Sequence, residues 1–377
     1  SDVCSSDLSY IIFIIIHHIY NNKYLPNFNI RMKILIIILT VLLSTKYVSS
    51  NTLFDSSVYD VNFVSNNIEN TKIIKINEIK KDSLLTILNK TLYYEKYQDL
   101  LPILSIDLIN SFIKNVTIND EKIIGNKYFS KIKINFDKKK IIEFYREKKI
   151  SYVEYYPKKF LLIIYDENEL SENLFTKNNN FYSYYKKNIK ANGLYKIPNL
   201  DINDRYILKK EHIKNKDYNK ILEFSKKYDL DEIIVVRAKS SNNLTDFEFT
   251  LFSEGKIIEK EFSLKKNDYQ IFFKILKFES LNNWKIANGI QNSSLNKINC
   301  KINYYNNHEL KEIRNNLKKI SLIQSLNIKS ISFKSIEYDI NYYGNLKILT
   351  KIFNVNKLDI NNSTNLCVIR LKWINKK

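Results

Sequence analysis

The side chains in this sequence that could do chemistry are few and scattered. Asp166 and Glu167 directly follow the apolar run Phe160-Leu-Leu-Ile-Ile-Tyr165. A short continuous apolar run is the signature of a strand buried on both faces. Active sites of open α/β sheets lie at the carboxyl ends of such strands. The pair is therefore the best catalytic candidate in the chain, suited to a hydrolase. The alternative is a solvated turn before a helix whose N-terminus favours acids, and no partner side chain can be named for either carboxylate.

His308 and Glu312 stand four residues apart and could share a metal on one helix face. His308, however, opens a helical stretch after two asparagines, where a solvated side chain is expected. Beyond residue 50 the other histidine is His212, and neither His-Glu-x-x-His nor Cys-x-x-Cys occurs. No metal site is expected. The five glycines, at 125, 193, 255, 289 and 344, are far apart. No phosphate-cradling loop can be written with them, so no nucleotide cofactor is expected either.

Cys300 alternates with Ile298, Ile302 and Tyr304, and Cys367 with Ile369, Leu371 and Trp373. Both thiols thus point to the core side of their strands. A disulfide is allowed if the chain is exported. Simple antiparallel pairing of the two strands leaves the cysteines about three positions out of register, too far to bridge. Two buried free thiols is the reading this favours.

The elements that must position these residues fall into three units. Residues 51–155 read as an N-terminal α/β unit. It has a strand at Val58–Val64, a helix through Ile79, Leu84, Leu88 and Leu92 opened by Asp82 or Ser83, and a helix at Ile106–Ile113. A hairpin about Gly125-Asn126 and a helix capped by Asp137 complete it. Residues 156–265 read as a mostly parallel α/β unit. Buried strands are expected at Phe160–Tyr165 and Glu232–Arg237, a helix at Tyr218–Tyr228, and a hairpin about Glu254-Gly255. Residues 266–294 form a helical linker. Residues 295–377 read β-α-β-β-α-β, the ferredoxin-like order, with first and last strands as antiparallel neighbours. Its core should hold Ile298, Cys300, Ile302, Leu310, Ile313, Leu317, Ile340, Leu349, Ile369 and Leu371.

The chain has one methionine, Met32, followed by Lys33, the apolar run Ile34–Leu43 and a polar stretch ending Val48-Ser49-Ser50. That is the pattern of a secretory signal peptide over 32–50, too short to span a bilayer. No cysteine near its end suggests a lipid anchor. Residues 1–31 are expected to be foreign to the fold. Ser1–Leu8 resembles an in-frame translation of a sequencing-adapter end, and the rest, His17-His18 included, reads as translated AT-rich upstream DNA. Export would place the mature chain in the periplasm of a Gram-negative bacterium, with no transmembrane segment after cleavage.

The net charge of +20 could mean a polyanion partner. Lys, Asn, Ile and Tyr, with A/T-rich codons, are abundant, and only six basic residues are arginine. Phosphate and base recognition favours the bidentate arginine fork. Dispersed lysines on solvated faces are the simpler account, and nucleic acid is not the expected partner. The many Tyr and Phe fall mainly on apolar faces and read as core, not as stacking platforms.

The order of segments resembles an uncharacterised family of exported Gram-negative proteins, domain of unknown function 2066. The resemblance covers about residues 55 to 265. It rests on Lys133–Lys138, on Pro157–Ile164, and above all on Ile197-Pro-Asn-Leu-Asp-Ile-Asn-Asp204 with Lys227-Tyr-Asp-Leu-Asp-Glu-Ile-Ile-Val235. The family shows a Pro-leucine-Asp loop and a Tyr-Gly-Ala-Asp strand entry at the last two places. Asp229-Leu230 stands where the family has Gly-Ala, so this turn must tolerate a side chain. The resemblance implies an exported, layered fold and transfers no catalytic residue. The second unit is also similar in fold to the α/β domains of envelope assembly and peptidoglycan-synthase accessory proteins. The expected function is a non-enzymatic module binding another envelope protein. Hydrolysis of an envelope polymer through Asp166 and Glu167, or polyanion binding through lysines, are the alternatives.

Overall fold

The computed structural model describes residues 53–189, 193–291, 295–364 and 366–372. The segments expected as upstream translation and signal peptide lie outside them. The described residues form one compact unit built on three sheets.

The alternation in Val58–Val64 gives β1 over those residues. Helix α1 follows at Ile68–Thr91 and starts much earlier than expected, because the Asn67 side chain accepts a hydrogen bond from the Asn70 amide and caps it. Its first turns are weakly amphipathic, with Ile73 and Ile74 exposed, while Leu84, Ile87 and Leu88 are buried. Short helices α2 (Tyr94–Leu100) and α3 (Ile106–Phe112) lead into β2 (Ile113–Ile124) and β3 (Lys127–Phe136). The three strands make an antiparallel sheet in the order β1-β3-β2. Asp137 caps α4 (Lys138–Glu147) by accepting from the Lys139 amide, as its position in the sequence suggested.

The central sheet begins with β4, Phe160–Asn168, and its partner β5, Ser171–Asn173. Then come α5 (Asn180–Asn188), β6 (Tyr195–Lys196), α6 (Ile202–Ile207), α7 (Lys210–Lys214), α8 (Tyr218–Lys226) and β7 (Ile233–Ser240). The hairpin β8 (Leu244–Ser253) and β9 (Lys256–Lys265) completes it. The order is β5-β4-β7-β8-β9, with β4 and β7 parallel, β7 to β9 antiparallel, and β6 beside the start of β4. Glu254 and Gly255 both take positive φ, the twist a two-residue hairpin turn requires.

Both faces of this sheet are covered, which is why β4 and β7 read as unbroken apolar runs. Phe160, Leu162 and Ile164 pack on one side with Phe181 and Tyr182 of α5. Leu161, Ile163 and Tyr165 pack on the other with Phe175 and Phe224. The stretch read as a helical linker carries α9, Tyr269–Asn288, and this helix buries Phe272, Leu276 and Trp284 in the first of these layers.

The last sheet uses β10 (Leu295–Asn303), α10 (Asn307–Lys318), β11 (Ile323–Ser332), β12 (Ser335–Tyr343), α11 (Leu346–Val355), β13 (Leu358–Thr364) and β14 (Leu366–Leu371). The β-α-β-β-α sequence is as read, and β10 pairs β12 antiparallel. The ending differs. An additional strand, β13, takes the edge position, and β14 turns back to lie between it and β10, giving the order β11-β12-β10-β14-β13. The expected β-α-β-β-α-β order has no strand at these residues. The extra reversal makes β14 parallel to β10, not antiparallel, and sets Cys300 directly beside Cys367. The two are joined in a disulfide with Cα atoms 4.4 Å apart. The free-thiol reading is thereby corrected: its register argument assumed the wrong strand direction. Within the expected core, Cys300, Ile302, Ile313, Leu317, Ile340, Leu349, Ile369 and Leu371 are buried, while Ile298 and Leu310 are half-buried and pack against it.

Candidate functional site

β4 runs on past Tyr165, so Asp166 and Glu167 lie within the strand and not in a turn beyond it. Adjacent strand residues point to opposite faces, and the packing of β4 in two separate layers confirms that phase. The structure therefore separates the two carboxylates across the sheet.

Glu167 points to the α6–α8 side and is taken up by an ion pair. Its Oε2 accepts from Arg237 Nε at 3.0 Å and Nη2 at 2.9 Å, and Lys214 Nζ lies 3.7 Å from Oε1. Nearby, Lys210 and Lys214 both hold Glu172, and these hydrogen bonds pull its carboxyl down to about 2. This is a structural charge ladder on the sheet surface.

Asp166 points to the α5 side and is 4% exposed. Burial raises its pKa above the usual carboxylate value, and the Asn180 amide at the start of α5 partly counters this. Asn179 fixes that amide in place. Its Oδ1 accepts from Phe181 and Tyr182, and its Nδ2 donates to Ile164 O and Asn173 O. Asp166 lines a cleft of about 270 Å³ together with Glu169, Ser240, Thr245, Lys266 and Tyr269. The cleft opens at the carboxyl ends of the parallel strands β4 and β7, where an open α/β sheet places its sites. The Tyr269 hydroxyl donates to Asn267 Oδ1 at 3.0 Å, and its pKa is raised by burial and then by the Asp166 charge. A single carboxyl held toward its protonated form can move a proton. A second carboxylate would have to come from Glu169, on the exposed turn after β4. Sequence reasoning missed Glu169, Lys266 and Tyr269, because they come from the turns after β4 and β9 and the start of α9, which only the sheet order brings together.

The two segments that carried the family resemblance converge on a different carboxylate. Asp204 is fully buried. Its Oδ2 accepts from the Leu200 amide at 2.9 Å, and its Oδ1 accepts from Lys227 Nζ and the Tyr228 hydroxyl, each at 2.6 Å. The Tyr228 hydroxyl in turn accepts from the Asn199 amide at 2.9 Å. Leu200 and Asp229 both take positive φ, so the turn at Asp229 does tolerate a side chain in the left-handed region. With both oxygens of Asp204 bonded, this cluster ties the loop before α6 to the end of α8 and leaves no group free for chemistry.

His308 is exposed on the first turn of α10, and among the described residues no group of three or more potential metal ligands assembles. The other histidine, His212, accepts from the Lys209 amide at 3.2 Å and finishes the start of α7. No helix among the described residues is long and apolar enough to cross a membrane.

No family model and no curated protein matches the chain. Among solved structures, it is similar to the LpoB C-terminal domain from Salmonella enterica. The identity is 11% over 30% of this chain and 86% of that one, with a TM-score of 0.20.

Proposed function

We propose that this is an exported, non-enzymatic envelope protein that acts by binding another envelope protein. The observation that carries the exported part is the Cys300–Cys367 disulfide, set in the interior of the last sheet by strand register. Structural disulfides persist in oxidising compartments such as the periplasm and are rare in the cytosol. The signal-peptide pattern at 32–50 and the resemblance to domain of unknown function 2066 support the same reading.

The binding part is supported by the free edge of that sheet. β11 is an edge strand, and near its tip Ile331 is 68% and Phe333 90% exposed. Exposed apolar side chains on an open edge suit recognition of an extended segment of a partner. Bulges between Ile323 and Ser325 and between Ile328 and Ser330 interrupt the edge, which guards it against open-ended pairing. Mild crosslinking in envelope extract should capture a protein that Ile331→Ser/Phe333→Ser loses. No capture, or equal capture by the variant, overturns the reading. Separately, the protein recovered from its native compartment should resist thiol alkylation until reduced.

A second reading, hydrolysis of an envelope polymer, is favoured by the buried Asp166 facing a cleft. It requires release of soluble fragments that Asp166→Asn abolishes and Glu167→Gln retains. Absence of release removes it.

A further inference from the structure

The end of α1 and the outer face of α9 enclose a second cleft, of about 310 Å³. Lys90, Lys274, Lys277 and Lys285 line it, and no acidic residue among the described residues does so. Tyr94, Tyr156 and Phe278 also line it, each 46% exposed. Tyr94 and Phe278 meet edge to face with ring centres 5.4 Å apart.

Three features separate this cleft from an ordinary lysine-rich surface. Lys285 is fixed: its Nζ donates to Asn89 O at 2.5 Å and Leu92 O at 2.9 Å, at the end of α1 where the helix dipole is negative. Lys90, Lys274 and Lys277 have no carboxylate or hydrogen-bond partner among the described residues. Trp284, 1% exposed, lines the same cleft, and its indole N–H has no acceptor among the described residues. Buried donors are almost always paired, so an orphan in a cleft wall calls for an explanation.

We propose that this cleft binds a small organic anion, a phosphate or carboxylate carried on an apolar body. The rings of Tyr94, Tyr156 and Phe278 receive the body, and Lys274, Lys277 and Lys285 receive the charge. The cleft is near the lower end of the usual range for ligand sites, enough for one ring and its acid group. The same chemistry could come from a soluble aryl phosphate or from the headgroup region of an anionic lipid. This proposal goes beyond the protein-binding reading and does not depend on it.

The chain has two tryptophans, so Trp373→Phe in the full chain makes Trp284 the reporter. Phenyl phosphate, inorganic phosphate and phosphatidylglycerol vesicles are titrated separately, following tryptophan emission and heat. Phenyl phosphate should give a saturable response, with affinity about tenfold weaker in Lys274→Gln/Lys277→Gln and several-fold weaker in Phe278→Ser. Inorganic phosphate should bind far more weakly, and Lys329→Gln/Lys334→Gln on the β11–β12 hairpin, outside the cleft lining, should change nothing. A response to vesicles alone, with the same variant pattern, assigns the anion to lipid and supports the site. No saturable response to either organic probe overturns the proposal. So does one that the cleft variants leave within about twofold, or one that inorganic phosphate reproduces.

Discussion

The carboxylate at Asp204 and the cations around Trp284 are charged sites of opposite construction. At Asp204 each oxygen has a donor, and the three donors come from the loop before α6 and the end of α8. Around Trp284 four lysines face a cleft that no acidic residue lines, and three of them have no partner among the described residues. A buried charge persists only when paired and hydrogen-bonded, so the first site is complete and serves the fold. Cations left open beside half-exposed rings cost the fold little and leave their donors for something else. Asp166 lies between the two cases, buried like Asp204 but facing a cleft with one backbone donor.

Breaking that contrast starts with the largest effect. Asp204→Ala leaves Lys227 and Tyr228 without their shared partner, and should cost about 3–5 kcal/mol in chemical denaturation. A loss no larger than that of a surface pair would show the cluster to be solvated. Leu317→Ala, in the core of the last sheet, should cost about 2–5 kcal/mol, which sets an apolar scale for comparison. Tyr228→Phe removes one bond to a charged oxygen and should cost about 1.5–3 kcal/mol. Tyr228 has its own pKa raised, by burial first and then by the bond to Asp204.

Asp166 sharpens the comparison through pH. Its carboxyl is raised above 3.8 in the folded state, so folding holds that proton more tightly than the unfolded chain does. The stability it contributes is complete below pH 3.8 and is lost as pH rises through the raised value. Asp166→Asn should flatten this part of the stability profile and be at least as stable as the parent at neutral pH. A variant markedly less stable at pH 7 would mean that the ionised carboxylate is bonded as Asp204 is. The smallest effects belong to exposed lysines. Lys318→Ala and Lys274→Gln/Lys277→Gln should each stay within about 0.5 kcal/mol of the parent. A larger loss for the cleft pair would make those lysines part of the fold.

Local pattern was enough to read much of this chain. Period-two alternation located β1 and β3, the unbroken run at Phe160 announced a strand covered on both sides, and Asp137 marked the start of α4. These features depend on neighbours in sequence: pleat, helix period and caps are short-range. The same logic phased the last unit, where Ile313, Leu317 and Leu349 are buried as their spacing demanded.

Local pattern failed where the outcome depended on elements distant in the chain. Whether β4 stopped at Tyr165 or continued to Asn168 was decided by its pairing with β5 and β7, and that extension put Asp166 and Glu167 on opposite faces. Whether the cysteines could meet was decided by β13, a strand with little apolar signal that turned β14 parallel to β10. The cleft at Trp284 joins the end of α1 to α9, nearly two hundred residues apart in the chain, as the Lys285 bond to Asn89 shows. The sequence alone determined which side chains were apolar, charged or able to cap. Only the tertiary structure decided which charges found partners, because pairing depends on distance in space and not on spacing along the chain.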